Sequence, residues 1–472
     1  STRKESSAAS DVYKRQIKVK KKKEADLGKD SLGPLLLKLA LPAILAQIIN
    51  VLYNMVDRMY IGHIPKVGPS ALTGVGVTMP VIMAISAFAA LVSMGGAPRA
   101  SIMLGRGEHP KAEKILGNCT VMLVIMAIIL TAVFLIWGEP ILMVFGASEA
   151  TIGYALDYMR IYALGTIFVQ LALGLNAFIN AQGYAKIGMI TVAIGALCNI
   201  VLDPIFIFSM SMGVKGAALA TIISQAISSI FVVYFLTSKR SGLRIKLDNL
   251  KLDFQVILPC LALGLSPFIM QFTESVISVC FNTSLLKYGG DIAVGSMTIL
   301  TSVMQFSMLP LQGLTQGAQP IISFNYGAEN IDRVKRAFKL LLKISLSYSM
   351  LLWAVAMFIP DTFIYIFTSH GELATYTRWA IRIYMAASGI FGIQIACQQT
   401  FIAIGNAKTS VFLAVLRKVL VLIPLIFILP MFIENQAFAV FLAEPIADTI
   451  AVSVTATLFY QTYKRLGKET KA

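Results

Sequence analysis

Five acidic residues fall in stretches that are otherwise apolar: Asp57, Asp203, Glu274, Glu444 and Asp448. A carboxylate at the centre of a hydrocarbon layer costs about 3 kcal/mol or more, so each of these must face a partner or a wet cavity. Asp203 lies in Asn199-Ile-Val-Leu-Asp203-Pro204. The i, i+4 spacing puts Asn199 and Asp203 on one helical face. Pro204 has no N–H and frees a carbonyl nearby. Carboxylate, amide and carbonyl oxygens together are hard ligands that suit Na⁺. The same carboxylate, desolvated, can instead hold a proton. Asp57 closes the run Tyr53-Asn54-Met55-Val56-Asp57. Adjacent helical residues point about 100° apart, so Arg58 does not automatically neutralise it. Glu274 could attract a cationic substrate or carry a second proton. Glu444 and Asp448, again i, i+4 and with Pro445 between them, either line a wall or pair with Arg417 or Lys418.

The elements that carry these residues are helices in lipid. Of the 472 residues 57% are hydrophobic and 14% charged, and the mean hydropathy is +0.76. That charge content cannot cover a water-soluble body of this size. Crossing a hydrocarbon core of about 30 Å takes roughly 20 helical residues. Twelve stretches are long enough: 34–60, 71–95, 115–137, 153–181, 187–208, 216–237, 254–284, 292–316, 338–360, 378–403, 409–432 and 437–461. The fold class expected is therefore an all-α integral membrane protein. Pro42, Pro80, Pro204, Pro267, Pro310 and Pro424 fall within these spans and predict kinks.

The net charge of +16 reports orientation rather than nucleic acid. Ten Lys/Arg precede the first span, whereas Lys66, Lys215, Lys287 and Arg378 are the basic residues of the outer loops. This positive-inside bias predicts both termini in the cytoplasm and contact with anionic lipid. On that topology Asp57, Asn199, Asp203 and Thr221 share the outer half of the layer and form one pocket. Cys119, Cys198, Cys260, Cys280 and Cys397 show no paired spacing, and His63, His109 and His370 fall in or beside loops. Neither a disulfide framework nor a metal cluster is expected. Residues 1–33 read as a disordered basic segment outside the fold, without the apolar core of a signal peptide. The Lys20–Lys23 run reads as a solvated, lipid-facing tail.

The chain repeats itself with a displacement of 222 residues. Gly95, Pro98, Ser101 and Gly105 recur as Gly317, Pro320, Ser323 and Gly327. Arg160, Ile161 and Tyr162 recur as Arg382, Ile383 and Tyr384. Ala181, Gly183, Ala185 and Lys186 recur as Ala403, Gly405, Ala407 and Lys408. Six spans per copy is an even number, so the repeats are parallel and form two six-helix lobes around a central cleft. The N-lobe covers 34–237, a linker 238–253, the C-lobe 254–461 and a basic tail 462–472. The glycines of Gly105-Arg-Gly107-Glu and Gly327-Ala-Glu-Asn are expected to suit inner turns with positive φ. Met270 and Met304 belong to a Met-rich stretch that either touches substrate or packs. The repetition fails at the acids: Asp203 faces Leu425, and Thr221 faces Ala443.

These residues resemble the MATE family, the multidrug and toxic-compound extrusion transporters, and lie nearest its MepA-like bacterial branch. The resemblance rests on Leu41-Pro42, Val56-Asp57, Gly95-x-x-Pro98, Asn199-x-x-x-Asp203-Pro204, Gly213-x-x-Gly216-Ala217-Ala218, Gly317-x-x-Pro320 and Tyr326-Gly327-Ala328. It implies no enzyme but an antiporter that exports small organic cations by alternating access, driven by Na⁺ or H⁺, from the bacterial cytoplasmic membrane. It further implies no cofactor beyond the coupling ion, no nucleic-acid partner, contact with membrane lipids, and a monomer. The family's ion site would fall on Asp57, Asn199, Asp203, Thr221 and Asn176. Residues 379–403 contain no acid, whereas one family branch has one there; Glu274 matches that branch's other acid. A lipid-linked glycan flippase of a related branch is the alternative, and it would require several intramembrane Arg for pyrophosphate.

Overall fold

The computed structural model describes residues 25–367 and 371–466. The Lys20–Lys23 run, His370 and residues 467–472 of the tail lie outside them. The described residues are helical, without a strand. We number the spans α1 (Leu32–Gly62), α2 (Gly68–Gly105), α3 (His109–Val144), α5 (Ala185–Ser209), α6 (Val214–Thr237), α9 (Ile331–Phe358), α11 (Ala407–Met431) and α12 (Gln436–Arg465). α4 is the bent pair Ile152–Leu164 and Thr166–Ala181, and α10 the bent pair Glu372–Tyr384 and Ser388–Ala403. α7 and α8 are the two parts of the continuous Phe254–Gly327, which turns at Gly290 with φ +66°. These make up twelve spans.

The bends of α4 and α10, 58° and 48°, follow directly on the repeated Arg-Ile-Tyr triplets. Proline is absent from both breaks, so these kinks escape a proline-based reading. The non-helical residue within α3 is Trp137, three before Pro140, a proline outside the six expected to kink. Pro204 and Pro424 act differently from a simple kink. α5 passes into a π-helical turn at Ile205–Ser209, and α11 is π-helical over Leu416–Leu422.

Among the described residues, four apolar clusters hold the molecule. One joins α2–α6 residues such as Ile85, Leu130, Tyr158 and Ile207. Another joins C-lobe residues such as Phe281, Leu300, Ile381 and Phe441. The other two mix the lobes: Leu35 and Leu39 pack with Leu314 and Ile322, and Leu116 and Phe178 share a cluster with Ile257 and Cys260. The apolar packing shared by the lobes thus lies at the end that carries their linker, and towards the other end each lobe has a cluster of its own.

The repeated glycines build that fusion. A Cβ on Gly95 would fall inside the Cys260 carbonyl of α7, and one on Gly317 would strike Ala40 of α1. Gly105 meets the Phe324 carbonyl, and Gly327 meets the Ile102 carbonyl. The expectation of positive φ holds at Gly107 and is corrected at Gly105 and Gly327. Positive φ falls two residues later, at Gly107 (+77°) and Glu329 (+58°). Gly183 (+88°) and Gly405 (+79°) do carry left-handed turns at equivalent points. Cys119 and Cys260, which show no paired spacing, bring their thiols together across the two lobes at this end.

The boundary at residue 33 is also corrected. Leu27 is buried and packs in the cluster that contains Ala185 and Phe401. Its carbonyl accepts from Asn325 Nδ2 at 2.9 Å and from Arg333 Nε at 3.2 Å. The linker is equally fixed: Leu243 N donates to Gln182 Oε1 at 2.8 Å, and Asp253 N to Asn118 Oδ1 at 2.6 Å. Asp253 caps α7 by accepting from Gln255 N, and the Lys114 ammonium beside it holds its carboxyl below the ordinary carboxylate range.

Candidate functional site

α5 presents Gly188, Thr191, Gly195, Asn199 and Asp203 at intervals of three or four residues, all buried on one face. α1 presents Gln47, Asn50, Asn54 and Asp57 with the same helical spacing. The two stripes converge where α1 packs on α5. Asp203 is fully buried, Asn199 is 1% exposed and Asp57 7% exposed.

Asn199 Nδ2 donates to Asp203 Oδ1 at 3.1 Å and approaches Thr221 Oγ1 at 3.4 Å. The Asp57 and Asp203 carboxyls lie close enough to share a hydrogen bond once either is protonated. Asp57 Oδ1, Asn199 Oδ1 and Asp203 Oδ2 are buried acceptors without a donor. Arg58 does not supply one: its Nη2 is 3.1 Å from Met79 Sδ. Among the described residues no Lys or Arg forms an ion pair with either aspartate. Two carboxyls this close cannot both stay charged without a proton or a cation between them. The donor set is oxygen throughout, which fits Na⁺ as well as H⁺.

A cavity of about 40 Å³ opens beside these residues, lined by Asn50, Tyr53, Asn176, Asn199, Thr221 and Ser224 among others. It has room for roughly three waters. Asn176 lines the cavity but does not reach the aspartates. Thr191 Oγ1 donates to its Oδ1 at 3.2 Å, and its Nδ2 is 3.4 Å from the Gly188 carbonyl. Thr191 is twelve residues before Asp203, about 18 Å along an ideal helix. Asn50, Tyr53 and Ser224 join the site beyond the expected residues; the polar periodicity of α1 points to the first two, and the i, i+3 spacing from Thr221 on α6 to Ser224.

The C-lobe acids are arranged differently. Arg417 Nε donates to Asp448 Oδ1 at 2.7 Å, and its Nη2 to Glu444 Oε1 at 2.9 Å. The guanidinium carbon lies 4.7 Å from the Phe391 ring centroid. Lys418 Nζ pairs with Glu274 and donates to the Met270 carbonyl at 3.1 Å. Adjacent residues of a regular helix point about 100° apart. The π turn of α11 accommodates both basic residues in the interior, Arg417 towards α12 and Lys418 towards α7. Met270 therefore contributes its backbone carbonyl to the Lys418 pairing, and Met304 packs against the C-lobe cluster.

Two six-helix lobes fused at one end, with unpaired carboxylates inside one of them, define a membrane transporter rather than an enzyme. The comparisons with known proteins agree. The MatE family profile matches residues 42–205 and 267–428, one stretch in each lobe. The chain belongs to the MATE family. It is 25% identical over 431 residues to "Multidrug export protein MepA" of Staphylococcus haemolyticus, covering 90% of this chain and 93% of that one. To the protein of the same name from Staphylococcus aureus strain N315 it is 24% identical, covering 83% and 85%. Two solved structures share its fold at 22% identity and a TM-score of 0.87. They are "Crystal structure of MATE in the bent conformation", covering 93% of this chain and 97% of that one, and "Outward-facing conformation of a multidrug resistance MATE family transporter of the MOP superfamily", covering 95% and 99%.

Proposed function

We propose that this protein is a multidrug efflux antiporter of the bacterial cytoplasmic membrane, exchanging inward Na⁺ or H⁺ for outward organic cations. The observation that carries the reading is the Asp57–Asp203 pair, buried and without a basic partner. The export reading draws on the names of the MepA relatives. The ion enters from the open end of the cleft and bridges the two carboxyls, with Asn199 and Thr221 beside them. Binding there reorders α1 against α5 and α6 and lowers affinity for the organic cation, which leaves. Both termini lie in the cytoplasm, so the fused end is the inner gate, and opening it parts the glycine contacts. Coupling requires that ion and substrate disfavour each other; equal affinity in both states moves nothing uphill. A flippase reading needs free guanidinium groups for pyrophosphate, and Arg417 is already engaged by Glu444 and Asp448.

The test is ethidium efflux from proteoliposomes with an imposed Na⁺ or H⁺ gradient, for wild type and Asp203→Asn. Wild type extrudes with one gradient and the variant does not. Efflux that ignores both gradients, or a fully active variant, contradicts the proposal.

A further inference from the structure

α7 carries a polar stripe at Gln271, Glu274, Ser275 and Ser278, with the spacing of one helical face. Ser275 Oγ lies 4.0 Å from Met83 Sδ of α2, so the stripe borders the opposite lobe. Exposed polar side chains on one face of a membrane span mark water, not lipid. The Glu274 side chain is 55% exposed, whereas its partner Lys418 is 3% exposed. The exposed acid thus lies on the stripe that borders the opposite lobe, with an ammonium behind it, inside its own lobe.

The charges of this cluster do not balance. Glu274, Glu444 and Asp448 face Arg417 and Lys418, three acids against two bases when all are ionised. Arg417 is held by two carboxylates and a ring and cannot leave. Lys418 is held by one carboxylate and one carbonyl, on a flexible four-carbon stem.

We propose that Lys418 is a tethered counter-cation of a substrate site at Glu274, and that an incoming organic cation binds by taking this carboxylate from it. This rests on the export reading above and adds the residue that sets its charge preference. The displaced ammonium stays inside the lobe, on the Met270 carbonyl and in the field of Glu444. Lys418 thus weakens cation binding at Glu274. That keeps the site from holding its substrate too tightly to release it. A ligand without charge gains nothing from Glu274 and does not compete with Lys418.

The test is equilibrium binding of tetraphenylphosphonium and of neutral triphenylphosphine oxide to the purified full chain, with folding checked by thermal melting. Lys418→Met is expected to bind the phosphonium about tenfold or more tighter, with the neutral ligand unchanged. Lys418→Arg stays near wild type, and Lys418→Met combined with Glu274→Gln loses the gain. The exchange Lys418→Glu with Glu274→Lys keeps the pair but turns the ammonium to the cleft, and it is expected to abolish phosphonium preference. It serves as the folded variant if Lys418→Met does not fold. Unchanged phosphonium affinity in Lys418→Met, an equal shift for both ligands, or an unchanged preference in the exchanged pair overturns the inference alone. A wild type that binds neither ligand overturns the export reading with it.

Discussion

The two lobes share a scaffold and treat buried acid in opposite ways. The N-lobe keeps Asp57 and Asp203 together with three unsatisfied acceptor oxygens and turns the nearby Arg58 to a thioether. The C-lobe answers Glu274, Glu444 and Asp448 with bases from one π-helical turn of α11. A fully buried carboxylate with a built-in partner, as at Glu444 and Asp448, is structural. One without a basic partner is costly to keep charged and suits a proton or cation that comes and goes. Division of labour thus follows from where basic residues stand, within a backbone that repeats.

This contrast can be broken most severely at the acids themselves. Asp203→Asn is expected to reduce gradient-driven efflux to that of empty liposomes while raising the melting temperature, because it removes an uncompensated buried charge. Arg417→Met is expected to act in the opposite sense on stability. It strands Glu444 and Asp448 and costs about 3–5 kcal/mol, read as lost folded protein in a melting curve. If both variants shift stability the same way, the lobes do not differ as described. Gly95→Leu spares the acids and acts on the fusion instead. Its Cβ overlaps backbone of α7, which no rotamer change relieves, so transport is expected to fall by about tenfold or more with the protein still folded. Oxidative cross-linking of Cys119 to Cys260, detected by mass spectrometry, should then fall as well. The smallest effect sharpens the comparison at equivalent turns. Glu329→Gly relieves a left-handed residue and is expected to stabilise by about 0.5–1 kcal/mol, whereas Gly107→Ala costs a similar amount.

Much of this was legible in the sequence. Apolar length gave the spans, and the 222-residue repeat the two copies, because both are periodic and local. The pocket of Asp57, Asn199, Asp203 and Thr221 was also accessible, since depth along each helix follows from topology and rise. What escaped was whatever depends on the rotation of one helix against another. Asn176 counts as near the aspartates by motif, yet its amide turns to Thr191 and Gly188. Arg417 and Lys418 left a choice of partners open, because a π turn changes which way adjacent residues face and leaves no clear mark in composition. Of the turn glycines, Gly107 takes the left-handed conformation, whereas the absent side chains of Gly105 and Gly327 serve contact between lobes. Glycine has both uses, and only the neighbour across the interface decides between them. Leu27 escaped because its partners, Asn325 and Arg333, lie some 300 residues away.

The central claim is that the exchangeable coupling ion is held by Asp57 and Asp203 and not by Glu444 and Asp448. Its most direct test is to count the protons or ²²Na⁺ ions released when tetraphenylphosphonium binds purified protein. Wild type and a Glu444→Gln/Asp448→Asn variant that remains folded are expected to release the same number. Asp57→Asn/Asp203→Asn is expected to release none. Release that survives loss of the N-lobe pair, or that vanishes with the C-lobe pair, would contradict the account.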